Sequence, residues 1–144
     1  MLKGIDPILS PDLLRILRAM GHGDEIAIVD ANYPSSSAGP QIVRLDGVDT
    51  TRVLDAVLSV MPLDEFVPEA AFYMQVVGDP ARIEPITEEF AKIVARHEPR
   101  MKLGSLERFA FYDRVKRAFA VAATGETRLY GNILLKKGII RPRT

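Results

Sequence analysis

Short apolar runs bounded by turn residues alternate along this chain with longer stretches whose apolar positions recur at helical spacing. That alternation limits the fold more than any other feature. Strands interleaved with amphipathic helices build an α/β layer rather than a bundle or a sandwich. Ser10-Pro11-Asp12 starts a helix with a capping hydroxyl, a proline at the first helical position and an acid in the first turn. Leu13, Leu14, Leu17 and Met20 follow at helical spacing, and Gly21 is a natural stop because glycine takes the left-handed conformation. Glu25 to Asp30 has a buried-strand pattern, and Gln41 to Leu45 a second one, closed by Asp46-Gly47. Between them Asn32 to Pro40 is rich in Ser, Gly and Pro, a loop that is either a rim or a plain connector.

Downstream, Val53, Leu54, Val57, Leu58 and Met61 make a one-faced helical stripe. Asp49, Thr50 or Thr51 can cap that helix, and Pro62 stops it. Phe72 to Val77 alternates as a strand, and Glu84-Pro85 opens a helix that carries Ile86, Phe90, Ile93 and Val94 and ends near His97. Arg108 to Arg117 fits a helix and Phe119 to Ala123 a compact strand. Thr124-Gly125-Glu126 turns the chain, and Asn132 to Lys136 is the final strand. The expected fold is one α/β domain over residues 1–144, with helices packed on a mixed, mostly parallel sheet.

Composition removes whole classes of chemistry. Lys and Arg total 19 and Asp and Glu total 19, a balance that argues against nucleic acid or a membrane surface as partner. The same balance does little to keep identical subunits apart, so a homo-oligomer is compatible. Without cysteine there are no disulfides, thiolate nucleophiles or Cys-based metal sites. The first residues lack the apolar core of a signal peptide, and no apolar run reaches the ~20 residues of a membrane span, so the expected location is the cytoplasm. Gly-rich phosphate loops of either kind, a His-x-x-x-His pair and a Gly-x-Ser-x-Gly elbow are all absent. With only two histidines a zinc site is not expected, which leaves an all-carboxylate magnesium site as the one metal alternative, and no cofactor is called for. What is left is proton transfer on a small neutral molecule.

His22 is the first residue to consider for such chemistry, because an imidazole exchanges protons near neutral pH. It stands between Gly21 and Gly23, which let a ligand approach the backbone; the same tripeptide also serves as an ordinary helix-end turn. Asp30 ends an apolar strand, where a carboxylate either caps the next turn or faces a site beyond the strand end. His22 precedes that strand, so it reaches such a site either through the fold or from another subunit. Tyr130-Gly131-Asn132 offers a hydroxyl, an amide and an open backbone, a set suited to a polyol, or is simply an aromatic packed where the strand begins. Arg108 can donate a fork to sugar hydroxyls or pair with Glu107 or Asp113. Asp24 and Glu25 are second-rank, His97 suits a helix C-terminus, and Lys136, Lys137, Arg141 and Arg143 form a basic end expected to be solvated.

These segments together, from Met20-Gly-His-Gly-Asp-Glu25 and Asp30-Ala31-Asn32 through Arg108-Phe-Ala-Phe-Tyr-Asp-Arg114 and Thr124-Gly-Glu126 to Tyr130-Gly-Asn-Ile-Leu-Leu-Lys-Lys-Gly138, resemble the L-fucose mutarotase branch of the ribose-pyranase/fucose-mutarotase family. The related ribose pyranases have His-Thr-Asp in place of His22-Gly23-Asp24 and Tyr-Ala-Asn in place of Tyr130-Gly131-Asn132. The resemblance runs in order over nearly the whole chain, although Val48 to Leu106 carries no quotable motif. It implies a small α/β protein in a ring-based decamer with sites at subunit contacts, interconverting the anomers of a free sugar. It implies His22 as proton donor, with Asp30, Arg108 and Tyr130 to Asn132 binding the monosaccharide. The alternative it leaves open is a non-catalytic monosaccharide-binding accessory protein of sugar uptake.

Overall fold

The computed structural model describes all 144 residues. Six strands form one sheet: β1 (Glu25–Val29), β2 (Gln41–Leu45), β3 (Ala71–Met74), β4 (Gly104–Leu106), β5 (Ala120–Thr124) and β6 (Ile133–Lys136). Their order is β2-β5-β1-β6-β3-β4. Only β6 runs against its neighbours; the β2–β5, β5–β1 and β3–β4 pairs are parallel. The sheet is therefore mixed and mostly parallel, as the alternating pattern implies.

Four helices cover it: α1 (Pro11–Ala19), α2 (Thr50–Leu58), α3 (Pro85–His97) and α4 (Arg108–Lys116). Strand alternation decides which helix lies where. On β1, Ile26 and Ile28 join the core built by α1, α2 and α3, while Ala27 and Val29 face Phe111 and Val115 of α4. Both faces are thus covered, which is why β1 and β5 are apolar almost without interruption.

Local signals set most boundaries. Ser10 Oγ accepts from the Leu13 amide at 3.2 Å and begins α1. Asp49 is the N-cap residue of α2, but its side chain makes no capping bond. The end of α1 departs from expectation. The helix stops at Ala19 and the left-handed residue is Gly23, with φ 88°, while the Gly21 amide donates to Asp24 Oδ2 at 2.7 Å. A carboxylate, not a left-handed glycine, turns the chain there. β3 ends at Met74, not Val77, and α4 at Lys116. No sequence signal anticipated the three-residue strand β4 or the short 3-10 turn at Ser35–Ser37.

This topology has two chemically different edges. The carboxyl ends of the parallel strands and the start of β6 lie at one edge. The residue following β6 and the segments leading into β1 and β3 lie at the other.

Candidate active site

At the carboxyl edge, Asp30, Asn32, Tyr33, Met74, Val77, Arg108, Tyr112, Leu129, Tyr130 and Asn132 line a cavity of about 200 Å³. Its position beyond the carboxyl ends of parallel strands is where open α/β sheets hold ligands. The backbone builds it tightly. The Asp30 amide donates to Asn132 Oδ1 at 2.8 Å, locking the end of β1 to the start of β6. Asp30 Oδ1 accepts from the Asn32 amide at 3.0 Å, so the local turn bond forms while the residue also lines the cavity. Burial pushes the Asp30 carboxyl above the usual range, against the opposing pull of amide donors from Asn32 and Gly131. Asp30 consequently holds a proton more readily than an ordinary aspartate.

Tyr130 has φ 60°, a left-handed conformation that costs a non-glycine residue and persists only where the surroundings impose it. Its hydroxyl accepts from the Val77 amide at 3.1 Å, which leaves its own proton to donate. Thr50 Oγ1 donates to the Gly131 carbonyl at 2.9 Å and touches Thr124 Oγ1 at 3.0 Å. Buried Glu126, held by Arg128, packs so close that a β-carbon on Gly131 would sit 2.7 Å from its Cγ. These contacts hold the Tyr130–Asn132 segment in place.

Arg108 forms neither of the ion pairs its spacing allows. Glu107 instead caps α4, accepting from the Phe109 and Ala110 amides at 2.8 and 3.0 Å. The Arg108 guanidinium lies 4.5 Å from the Phe109 ring centroid, and its buried Nε has no partner. A buried donor without an acceptor at the wall of this mixed apolar and polar cavity can donate to a ligand acceptor.

His22 is at the opposite edge. β1 separates it from Asp30, and five strand residues alone span roughly 16 Å. The fold therefore brings Asp30, Arg108, Tyr130, Gly131 and Asn132 together and leaves the same chain's His22 apart. Its partner is a residue that sequence reasoning missed. His22 Nε2 lies 3.1 Å from Asp64 Oδ1, with the imidazole 45% exposed and the carboxylate side chain 4% exposed. Burial opposes the Asp64 charge, but the Phe66 amide and His22 outweigh it and hold the carboxyl below its ordinary value. An ionised carboxylate only accepts, so Nε2 carries the proton and Nδ1 is left to exchange one. The half-exposed ring leans on Phe66, centroid to centroid 5.4 Å. Asp24 and Glu25 take no part: Asp24 caps Gly21, and Glu25 pairs with Arg114 at 2.7 Å. His97 ends α3 and pairs with Asp55 of α2 at 2.7 Å, away from both edges' polar groups.

No group of three His, Asp or Glu residues is placed to hold a metal ion. No helix is long and apolar enough to cross a membrane.

Residues 3–140 match the RbsD / FucU transport protein family. Fucose mutarotases of Bos taurus and Mus musculus are 46% and 48% identical to this chain, covering 99% and 96% of it and 97% and 95% of their own lengths. Among solved structures, the fucose mutarotase of Streptococcus pneumoniae in complex with L-fucose superposes with a TM-score of 0.90 at 44% identity, over 97% of this chain and 100% of that one. Bacillus subtilis RbsD complexed with D-ribose shares the fold, with a TM-score of 0.73 at 24% identity over 98% of this chain and 100% of that one. With the fold and both polar edges in hand, these matches place the chain in the RbsD / FucU family.

Proposed function

We propose that this protein is a cytoplasmic isomerase that interconverts the α and β anomers of L-fucose by cofactor-free acid–base catalysis. The observation that carries the mechanism is the His22–Asp64 pair, a half-exposed imidazole held by a buried carboxylate with one ring nitrogen free. Opening a hemiacetal ring requires a proton delivered to the ring oxygen and another removed from the anomeric hydroxyl. Closing on the other face of the rotated aldehyde reverses both. His22 supplies the first proton. Asp30 or a water takes the second in this reading, while Tyr130, which keeps its own proton, joins Arg108 and Asn132 in orienting hydroxyls. The guanidinium stays protonated and does not take part in transfer.

The two halves of this site lie at opposite edges of one sheet, so a complete site needs two subunits. His22 and Asp64 of one subunit meet the Asp30–Arg108–Tyr130 cavity of a neighbour. Exposed apolar residues next to each half fit such a contact: Phe66 beside His22, and Val77, Phe109 and Leu129 around the cavity. The decameric ring implied by the resemblance would supply the contact repeatedly. Homology to fucose mutarotases over the full chain supports the substrate.

Exchange NMR between the anomers of L-fucose tests the reading. Catalytic amounts of protein should accelerate exchange well beyond buffer. Saturable fucose binding with exchange no faster than buffer would contradict catalysis and leave the carboxyl-edge cavity as the binding site of an accessory protein.

A further inference from the structure

Arg141 and Arg143 are exposed, as expected of the basic end, but Lys137 is not a solvated member of it. Lys137 is half-buried, and its ammonium donates to the carbonyls of Leu17 and Met20, at 2.7 and 2.5 Å. Leu17 lies in the last turn of α1 and Met20 is its C-cap residue, the end where a helix leaves acceptors without internal partners and where a cation is favoured. Met20 stands two residues before His22.

The backbone of the same residue grips the other side of that turn. The Gly23 amide donates to the Lys137 carbonyl at 2.8 Å, and the Lys137 amide donates to the Asp24 carbonyl at 2.9 Å. On its opposite side the segment holds Asp64. Lys137 forms a bridge with Leu63, the Asp64 amide donates to the Lys136 carbonyl at 3.0 Å, and the Gly138 amide donates to the Pro62 carbonyl at 2.8 Å. Gly138 packs so closely on Leu63 that a β-carbon there would overlap the Leu63 carbonyl. One three-residue segment therefore carries both members of the acid–base pair, although His22 and Asp64 are 42 residues apart in sequence.

We infer that Lys137 is a positioning residue for catalysis: its ammonium clamps the end of α1 so that the His22 turn keeps its distance to Asp64. The inference rests on His22 being the acid–base group proposed above. Removing the ammonium leaves the backbone bonds of Lys137 intact but frees Leu17 and Met20, and the turn that carries His22 loses one of its two anchors. A small misplacement of a proton-transferring group is costly to rate while leaving a remote binding cavity unchanged.

The test compares the full-length parent with Lys137→Met, which keeps the apolar stem and removes the donors. Four quantities are read: L-fucose anomer exchange resolved into kcat and KM, sedimentation, the melting temperature, and the 15N shifts of the His22 ring. Lys137→Met should fold and assemble as the parent does and lower kcat about 10- to 100-fold with KM unchanged. Its His22 ring shifts should move from a single tautomer toward a mixture of the two. Lys137→Arg, which keeps a charged donor, should recover part of the rate and of the ring signature. A purely structural role predicts a lower melting temperature with parental kcat and ring shifts, and that result overturns the inference. Should Lys137→Met not fold, Lys137→Gln is held to the same readings. No acceleration by the parent itself overturns the mutarotase reading, whereas an active parent matched by its Lys137 variant overturns only the positioning role.

Discussion

The two edges of the sheet each bury one aspartate, and the two are shifted in opposite directions. Asp30, at the carboxyl edge, is pushed up by burial. Asp64, at the amino edge, is held down because the Phe66 amide and His22 outweigh its burial. Their surroundings separate two tasks. The carboxyl edge pairs Asp30 with Asn132, Tyr130 and the unpartnered Nε of Arg108, a polar wall for hydroxyls. The amino edge offers one imidazole oriented by one carboxylate, a unit for moving a proton. In the mechanism proposed above neither edge is an active site alone, so the chemistry would depend on how copies of the chain meet.

If the amino edge does the chemistry, its loss should dominate. His22→Ala is expected to lower kcat for anomer exchange about 10²- to 10⁴-fold, the usual contribution of a positioned acid–base group, with fucose still binding. Exchange NMR with a separate binding titration checks both halves. Asp64→Asn and Asp30→Asn should then divide differently. Each removes a charged hydrogen-bonding group, about 1.5–3 kcal/mol or roughly 10- to 150-fold. Asp64→Asn should act on kcat through His22 with KM unchanged, and Asp30→Asn on both KM and kcat. Matching kinetic defects in the two variants would break the division.

Two glycines sharpen the comparison further. A β-carbon at Gly138 meets the Leu63 backbone and would lie 2.9 Å from Asp64 Cα, whereas at Gly131 its nearest neighbour is the Glu126 side chain. Backbone yields less than a side chain. Gly138→Ala should therefore cost the upper part of the ~1–3 kcal/mol range for overpacking, and Gly131→Ala the lower, as read by denaturant melts.

The smallest effect separates the aspartates by pH. The folded-state pKa of Asp64 lies below its unfolded value, so its stabilisation is present above about pH 4 and is lost as pH falls through the folded pKa. Asp64→Asn should melt lower than the parent at neutral pH, with the gap closing in acid. Asp30 has the opposite sign: its folded pKa is raised, so its charge opposes folding at neutral pH and is relieved as pH drops toward about 4. Asp30→Asn should melt at or above the parent at pH 7, and that advantage should disappear in acid. Thermal melts across this range measure both.

Local chemistry explains which parts of this were legible in the sequence. The start of α1, the limits of β2 and the strand β1 follow from capping, turn and burial patterns a few residues long. β4 was missed because three residues, one of them glycine, carry no periodicity, and its pairing with β3 is a long-range choice. Asp30, Arg108 and Tyr130 to Asn132 were singled out because each ends or begins an element, and strand order brings those ends together. Asp64 gave no comparable signal. It lies in an irregular segment whose only sheet-like contact is the Leu63–Lys137 bridge, and it reaches His22 solely through tertiary structure. Lys137 was misassigned for a related reason: a lysine near a chain end looks solvated until the carbonyls it caps are seen.

Complementation between two impaired variants, assayed at fucose below KM, tests the divided site most directly. His22→Ala and Asp30→Asn subunits, co-expressed with different tags and purified as mixed assemblies, each retain one intact edge. Random mixing in equal amounts should return about one quarter of the parental exchange rate, because that fraction of subunit contacts joins an intact His22 to an intact Asp30. Mixed assemblies no more active than the two variants separately would show that His22 and Asp30 do not act across a contact, and would contradict the account.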